Sequence, residues 1–233
     1  MSEYKYNGIT PETLMLLSEN RFRNSREFYE EHKKQIKEGI TIPMQQVICA
    51  LADTIGEIDD EIPIVPTKMV SRVRRDTRFT KDKSLYRENL WAMFMRDKRA
   101  LPYFPCMWFE VAQNGYSGGI GTYYAPPRFM ELYREEIAAR PDDFYDAVIL
   151  AERSGAVFGG DYYKKAKPGC PMAVLEPYYN VKSIFFSYYF PNLNELGDTA
   201  FIEKIRPIYA SFKPFYSFLL DGAGQHAGTA GSS

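Results

Sequence analysis

Apolar residues along the first 58 positions recur with helical spacing. Thr10-Pro11-Glu12 reads as a helix start: a hydroxyl cap, a proline in the first turn and an acid near the positive end of the dipole. Leu14, Leu17 and Phe22 give that helix its apolar side. Asn24 with Glu27 three residues on resembles a capping box and predicts a second helix to about Glu38, ended by Gly39. Pro43 starts a third helix to about Ile58. Its Met44, Val47, Ile48, Leu51 and Ile55 keep a 3.6-residue period and mark a buried face.

The pattern then changes. Asp59 to Pro66 is acidic and proline-punctuated and reads as a loop. Met69 to Arg75 reads as extended, and Asn89 to Met95 as a strand. Met107 to Ala112 and Tyr116 to Tyr124 flank Asn114-Gly115, the best hairpin signal in the chain. Gly118, Gly119 and Gly121 lie within a hairpin strand, not at a strand-to-helix turn, so they are no dinucleotide fingerprint. Ala125-Pro126-Pro127 begins another helix, and a further one runs from about Asp142 to Arg153. Phe158 to Lys167 and Val181 to Phe190 look extended. Thr199 to Leu220 is helical and broken by Pro207 and Pro214 into two pieces. Helices at both ends of a strand-rich middle predict an α+β fold with a mostly antiparallel sheet. The expected organisation is one domain over 1–220 and a flexible, small-residue tail over 221–233.

Composition narrows the chemistry. No apolar run approaches the roughly 20 residues that span a bilayer, and the polar start lacks a secretory pattern, so a cytoplasmic protein is expected. Cys49, Cys106 and Cys170 form no CxxC pair, and reduced, inert thiols are the simple reading. The two histidines are His32, on a solvated helix face, and His226, in the tail. A histidine metal site is therefore out, and no nucleophile elbow or phosphate loop occurs. Trp91 and Trp108 read as core residues of neighbouring strands. Paired tyrosines such as Tyr123-Tyr124 and Tyr188-Tyr189 fit sheet and core composition better than a stacking pocket.

Charge singles out one segment. The net charge is −1, yet Lys68 to Arg99 holds eleven basic residues against four acids. The whole protein is not basic, so a bulk preference for nucleic acid is not indicated, whereas a local anion preference is. The densest part is Ser71-Arg72-Val73-Arg74-Arg75-Asp76-Thr77-Arg78-Phe79-Thr80-Lys81-Asp82-Lys83-Ser84-Leu85-Tyr86-Arg87. Guanidinium groups are planar forks that hold carboxylate or phosphate through paired hydrogen bonds. Crowded together they repel, so they need acids or an anionic ligand. In a strand, Arg72 and Arg74 share one face while Val73 and Arg75 share the other. Arg75 would then demand a partner on an apolar side, which Asp76 could supply if the chain turned at Asp76-Thr77.

This run resembles the signature of the family known as domain of unknown function 2461, found in bacteria and fungi, which reads approximately R-[IV]-x-R-D-x-R-F-S-K-D-K-x-P-Y-K. Arg72, Arg75-Asp76, Arg78-Phe79, Lys81-Asp82-Lys83 and Tyr86 match. Thr80 replaces Ser, Leu85 replaces Pro and Arg87 replaces Lys. Weaker echoes extend over Asn24 to Lys33, Gly121-Thr122-Tyr123, Lys165 to Gly169 and Pro214 to Leu219. The resemblance implies a single-domain extent and brings no mechanism and no cofactor with it.

Three readings of the motif stand side by side. The first is a site for a phosphate- or carboxylate-bearing small molecule, built from Arg72, Arg75, Arg78, Lys81 and Lys83. Asp76 and Asp82 would orient those cations, Tyr86 and Arg87 would sit at the rim, and Lys165 and Lys167 could add a second basic loop. The second is a nucleic-acid or protein interaction surface. The third is an internal salt-bridge network. A metal at Asp76 and Asp82 is not expected among so many cations.

Overall fold

A computed structural model describes residues 6–96, 104–122 and 125–230. Helix α1 (Pro11–Arg23) starts as expected: the Thr10 hydroxyl accepts from the Thr13 amide at 3.3 Å. Its end uses Asn24, which takes the left-handed conformation (φ 50°). Asn24 is therefore not the cap of α2 (Arg26–Ile36). Ser25 is, accepting from the Phe28 amide at 3.2 Å. Gly39 does not stop the chain either. A π-helical turn, Lys37–Thr41, carries it straight into α3 (Ile42–Ile58). Gly39 lies so close to α1 that a Cβ there would meet Thr13 Cγ2 at 2.5 Å; the missing side chain serves close packing, not termination.

A short helical turn, α4 (Pro66–Met69), precedes β1 (Asn89–Phe94), β2 (Cys106–Ala112) and β3 (Gly115–Gly121). The hairpin between β2 and β3 forms as predicted, but its two turn residues are Gln113 and Asn114, and Gly115 opens β3 opposite Ala112. Helices α5 (Pro127–Ala139) and α6 (Pro141–Arg153) lead to the short β4 (Val157–Gly159), the turn α7 (Glu176–Tyr179) and β5 (Phe185–Phe190). The sheet has five strands in the order β1-β2-β3-β5-β4, and every pairing is antiparallel. The fold is α+β, with helices at both ends of the chain.

The last helices are α8 (Ala200–Ser211) and α9 (Lys213–Ala230). The break falls at Phe212, not at Pro207, which stays inside α8; Pro214 sits in the first turn of α9, where its missing N–H costs nothing. Helix α9 runs on past Leu220, where the sequence reading ended it. Asp221 takes an ion pair from Arg140 at 2.7 Å.

Strand parity sorts the sheet into two faces. Leu90, Ala92, Phe94, Met107, Phe109, Val111, Ile120 and Phe186 are buried and face the main helices. Tyr209 of α8 reaches through this layer and donates to the Trp108 carbonyl at 2.5 Å. It can do so because Gly118 leaves room: a Cβ there would sit 2.5 Å from the Tyr209 hydroxyl. A second brace is Asp59, just past α3. It holds Arg96 beyond β1 through two bonds (2.6 and 3.0 Å), accepts from Tyr216 of α9, and accepts the Glu61 amide at 3.1 Å.

The opposite face carries Trp91, Met93, Trp108 and Glu110, all partly exposed. Here the sequence reading of the tryptophans is corrected. They do stand on neighbouring strands, but on the open face. Among the described residues no helix is long and apolar enough to cross a membrane. Asp97, Lys98, Arg99 and the Tyr123-Tyr124 pair lie outside the described residues.

Candidate functional site

The arginine-rich run hangs on the free edge of β1. After α4, Val70 bridges Ala92, the Ser71 amide donates to the Trp91 carbonyl at 2.7 Å, and the Trp91 amide donates to Ser71 Oγ at 3.1 Å. The chain then folds back on itself. Arg75 N donates to the Leu85 carbonyl at 2.8 Å, and Arg87 N to the Val73 carbonyl at 2.9 Å, around an Arg74–Tyr86 bridge. The expected extended segment thus exists from Val70 onward, as isolated bridges. Its alternation is as read: Val73 is buried, whereas Arg72 and Arg74 are exposed.

Local hydrogen bonds fix the tip. Asp76 accepts from Arg78 through the backbone amide (3.2 Å), Nε (3.0 Å) and Nη2 (2.7 Å). Those bonds hold its carboxyl down at about 2. Asp82 is the hub. It accepts from the Ser84 hydroxyl (2.5 Å) and amide (2.9 Å), from Arg21 of α1 (2.6 Å) and from Arg75. These donors, Ser84 first, push its carboxyl far below the usual range. The partner of Arg75 is therefore Asp82, seven residues on, and not the adjacent Asp76, which is committed to Arg78. Arg21 also donates to the Tyr86 carbonyl at 3.2 Å, and Asn24 Oδ1 accepts the Leu85 amide at 2.6 Å, so the end of α1 clamps the motif.

Five guanidinium groups line one cleft of about 600 Å³: Arg72, Arg74, Arg75, Arg78 and Arg87, with Trp91 beside them. Arg87 lies over the Trp91 ring at 4.2 Å, and its Nε donates to the Arg72 carbonyl at 3.1 Å. Burial, and then the charge of Arg75, lower its pKa. A smaller cleft of about 280 Å³ adjoins, sharing Arg75, Arg87 and Trp91 and adding Arg21, Asp82 and Tyr86. Among the described residues Arg72, Arg74 and Arg87 have no carboxylate within ion-pair distance.

Of the residues read from sequence, Arg72, Arg75, Asp76, Arg78 and Arg87 come together in the larger cleft, with Asp82 and Tyr86 in the smaller. Lys81 and Lys83 line neither; both are exposed, and Lys83 donates to the Thr77 carbonyl at 2.8 Å. Tyr86 is not at the rim. It is buried and stacks on Tyr29 of α2 at 4.8 Å between centroids. Lys167 does not join the cleft but lies 4.3 Å over Tyr163, a ring that Lys182 and Arg134 also approach. Sequence reasoning missed Arg74, Trp91 and Arg21. Arg74 was visible as the partner of Arg72 on one strand face. Nothing local marks Arg21, which reaches Asp82 across 61 positions. Cys106 is buried, which pushes its thiol up to about 11 and away from nucleophilic use.

Fold and cleft together define an α+β protein with an arginine-lined recess on the edge of an antiparallel sheet. Residues 12–218 match the family described as "Conserved hypothetical protein (DUF2461)", and the chain belongs to it. No curated protein matches the chain.

Proposed function

We propose that the recess binds a phosphate- or carboxylate-bearing small molecule. The observation that carries this reading is the surplus of positive charge in one concavity: five arginines and one acid, Asp76, line it, and Arg72, Arg74 and Arg87 form no ion pair among the described residues. Forks without resident acids are suited to a doubly bonded anion. Asp76 and Asp82 act as positioning residues, because the pairs Arg78–Asp76 and Arg75–Asp82–Arg21 hold the loop in shape. The structural network and the ligand site then divide the motif between them.

Thermal shift with inorganic phosphate, pyrophosphate and citrate tests the reading. A ligand at one hundred times its Kd stabilises by about 2.7 kcal/mol, which raises the Tm of a chain this size by roughly 5–10 °C. The double variant Arg72→Ala/Arg74→Ala removes two exposed side chains that have no ion pair. It keeps the Tm of the free protein and loses the shift. If no anion shifts the wild type, the reading is wrong.

One feature favours macromolecular contact instead. The tip exposes Phe79 at 91% beside Arg78 and Lys81. Binding of single-stranded DNA that falls steeply with salt and is abolished by Phe79→Ala would support that second reading.

A further inference from the structure

The arginine recess shares Trp91 with a second feature, an apolar trough of about 450 Å³ on the open face of the sheet. Strand parity builds it. Trp91 and Met93 of β1 and Trp108 and Glu110 of β2 supply one wall and the floor, and Phe185 of β5 supplies the other wall. Between them β3 offers Gly119 and Gly121. A Cβ on Gly119 would meet the Trp108 ring at 2.6 Å, and one on Gly121 would meet Phe185 Cβ at 2.7 Å. The absent side chains let the aromatic groups settle against the sheet.

Two polar groups sit in this apolar setting. Thr122 Oγ1 is buried with no partner among the described residues. Glu110 Oε1 accepts from Asn89 at 2.7 Å, while its second oxygen has no partner among the described residues. An acyl chain would leave the free Glu110 oxygen desolvated and unpaired, at a cost. A heterocycle with an exocyclic amine would satisfy it while its faces lie on indole and phenyl surfaces. Trp91 joins the two features, because it lines the trough and both arginine clefts and carries Arg87 on its ring.

We infer that the anion is a nucleoside phosphate with an amino-bearing base: phosphates among Arg72, Arg74 and Arg87, base in the trough between Trp108 and Phe185, Glu110 accepting from the exocyclic amine. This inference rests on the anion-site reading and names its ligand class.

The chain has two tryptophans, and both line the trough, so intrinsic fluorescence reports its occupancy. The experiment titrates the protein with ADP, GDP, CDP and UDP, and in parallel with pyrophosphate and ribose 5-phosphate, by fluorescence and calorimetry. At least one amino-bearing nucleotide quenches the tryptophans and binds tenfold or more tighter than pyrophosphate. Trp108→Ala brings its affinity down to that of pyrophosphate. Glu110→Gln, a near-isosteric change at a partly exposed position that should leave the fold intact, narrows the preference for amino-bearing bases over uracil and decides the case should Trp108→Ala not fold. Pyrophosphate binding with no nucleotide advantage and no quenching would overturn the trough and leave the anion site standing. Absence of binding by every probe would overturn both.

Discussion

Asp59→Asn tests the brace that sets the sheet against α3 and α9. The carboxylate side chain is 2% exposed and collects four donors: Arg96 Nε and Nη2, the Tyr216 hydroxyl and the Glu61 amide. Burial alone would raise its pKa; the bonds from Arg96 and Tyr216 outweigh that and lower it, so Asp59 is ionised in the folded protein. Asparagine keeps one oxygen and turns a donor toward groups that themselves donate. Breaking a buried ion pair costs about 3–5 kcal/mol. Here Arg96 is 26% exposed and retains Glu61 at 2.8 Å, so water and that carboxylate recover part of the loss. A net cost of about 3 kcal/mol follows, or a Tm lower by roughly 6–12 °C in a chain of this length. Calorimetry or circular-dichroism melting at pH 7 measures it. Glu61→Gln is the control: that carboxylate is 66% exposed, and its loss changes stability by less than about 0.5 kcal/mol. Should Asp59→Asn melt within about 2 °C of wild type, the four-donor brace carries no net stability and the reasoning is wrong.

Asn24 does two jobs that substitutions can separate. Asn24→Ala loses both the left-handed cap and the bond to the Leu85 amide, at a cost of about 1–3 kcal/mol, while Asn24→Gly restores the backbone and loses only the bond; melts of the two variants should differ, and equal Tm values would mean that the cap is unstrained. The two motif carboxylates set an acid limit. Asp76, held at about 2, and Asp82, pushed lower still, lie below the unfolded carboxylate value of about 3.9. Their stabilisation is therefore complete above about pH 5 and drains as pH falls through 4 toward 2. The Tm difference between wild type and Asp76→Asn/Asp82→Asn should be constant from pH 5 to 8 and shrink below 4; a difference that grows on acidification would reverse the sign and refute the pairing.

Legibility followed the range of the interaction. The β2–β3 hairpin, the start of α1 at Thr10-Pro11 and the periodic face of α3 are written in adjacent residues, because backbone preferences and helical or strand periodicity act over a few positions. The arginine motif was legible for the same reason, as were the alternation of Val73 against Arg72 and Arg74 and the family resemblance. Local rules failed where two signals competed for one residue. Asn24 carries a capping signature, yet its conformation was taken by the end of α1. Gly39 looks like a stop, yet it serves contact with Thr13.

By itself, then, the sequence determined the helices, the hairpin and the identity of the charged run, since each depends on neighbours along the chain. Which acid neutralises which arginine was decided only when the chain folded. Asp82 lies seven positions from Arg75 and 61 from Arg21, and no spacing rule connects them. The side on which Trp91 and Trp108 stand was also a tertiary decision. Parity fixes that alternate residues share a face, but not which face the helices cover. Packing of α3, α8 and α9 on the Leu90–Ala92–Phe94 side left both indoles on the open face, with Trp91 beside five guanidinium groups, because burying those aliphatic and phenyl side chains removes more apolar surface from water than burying a face that also carries Glu110 and Asn89.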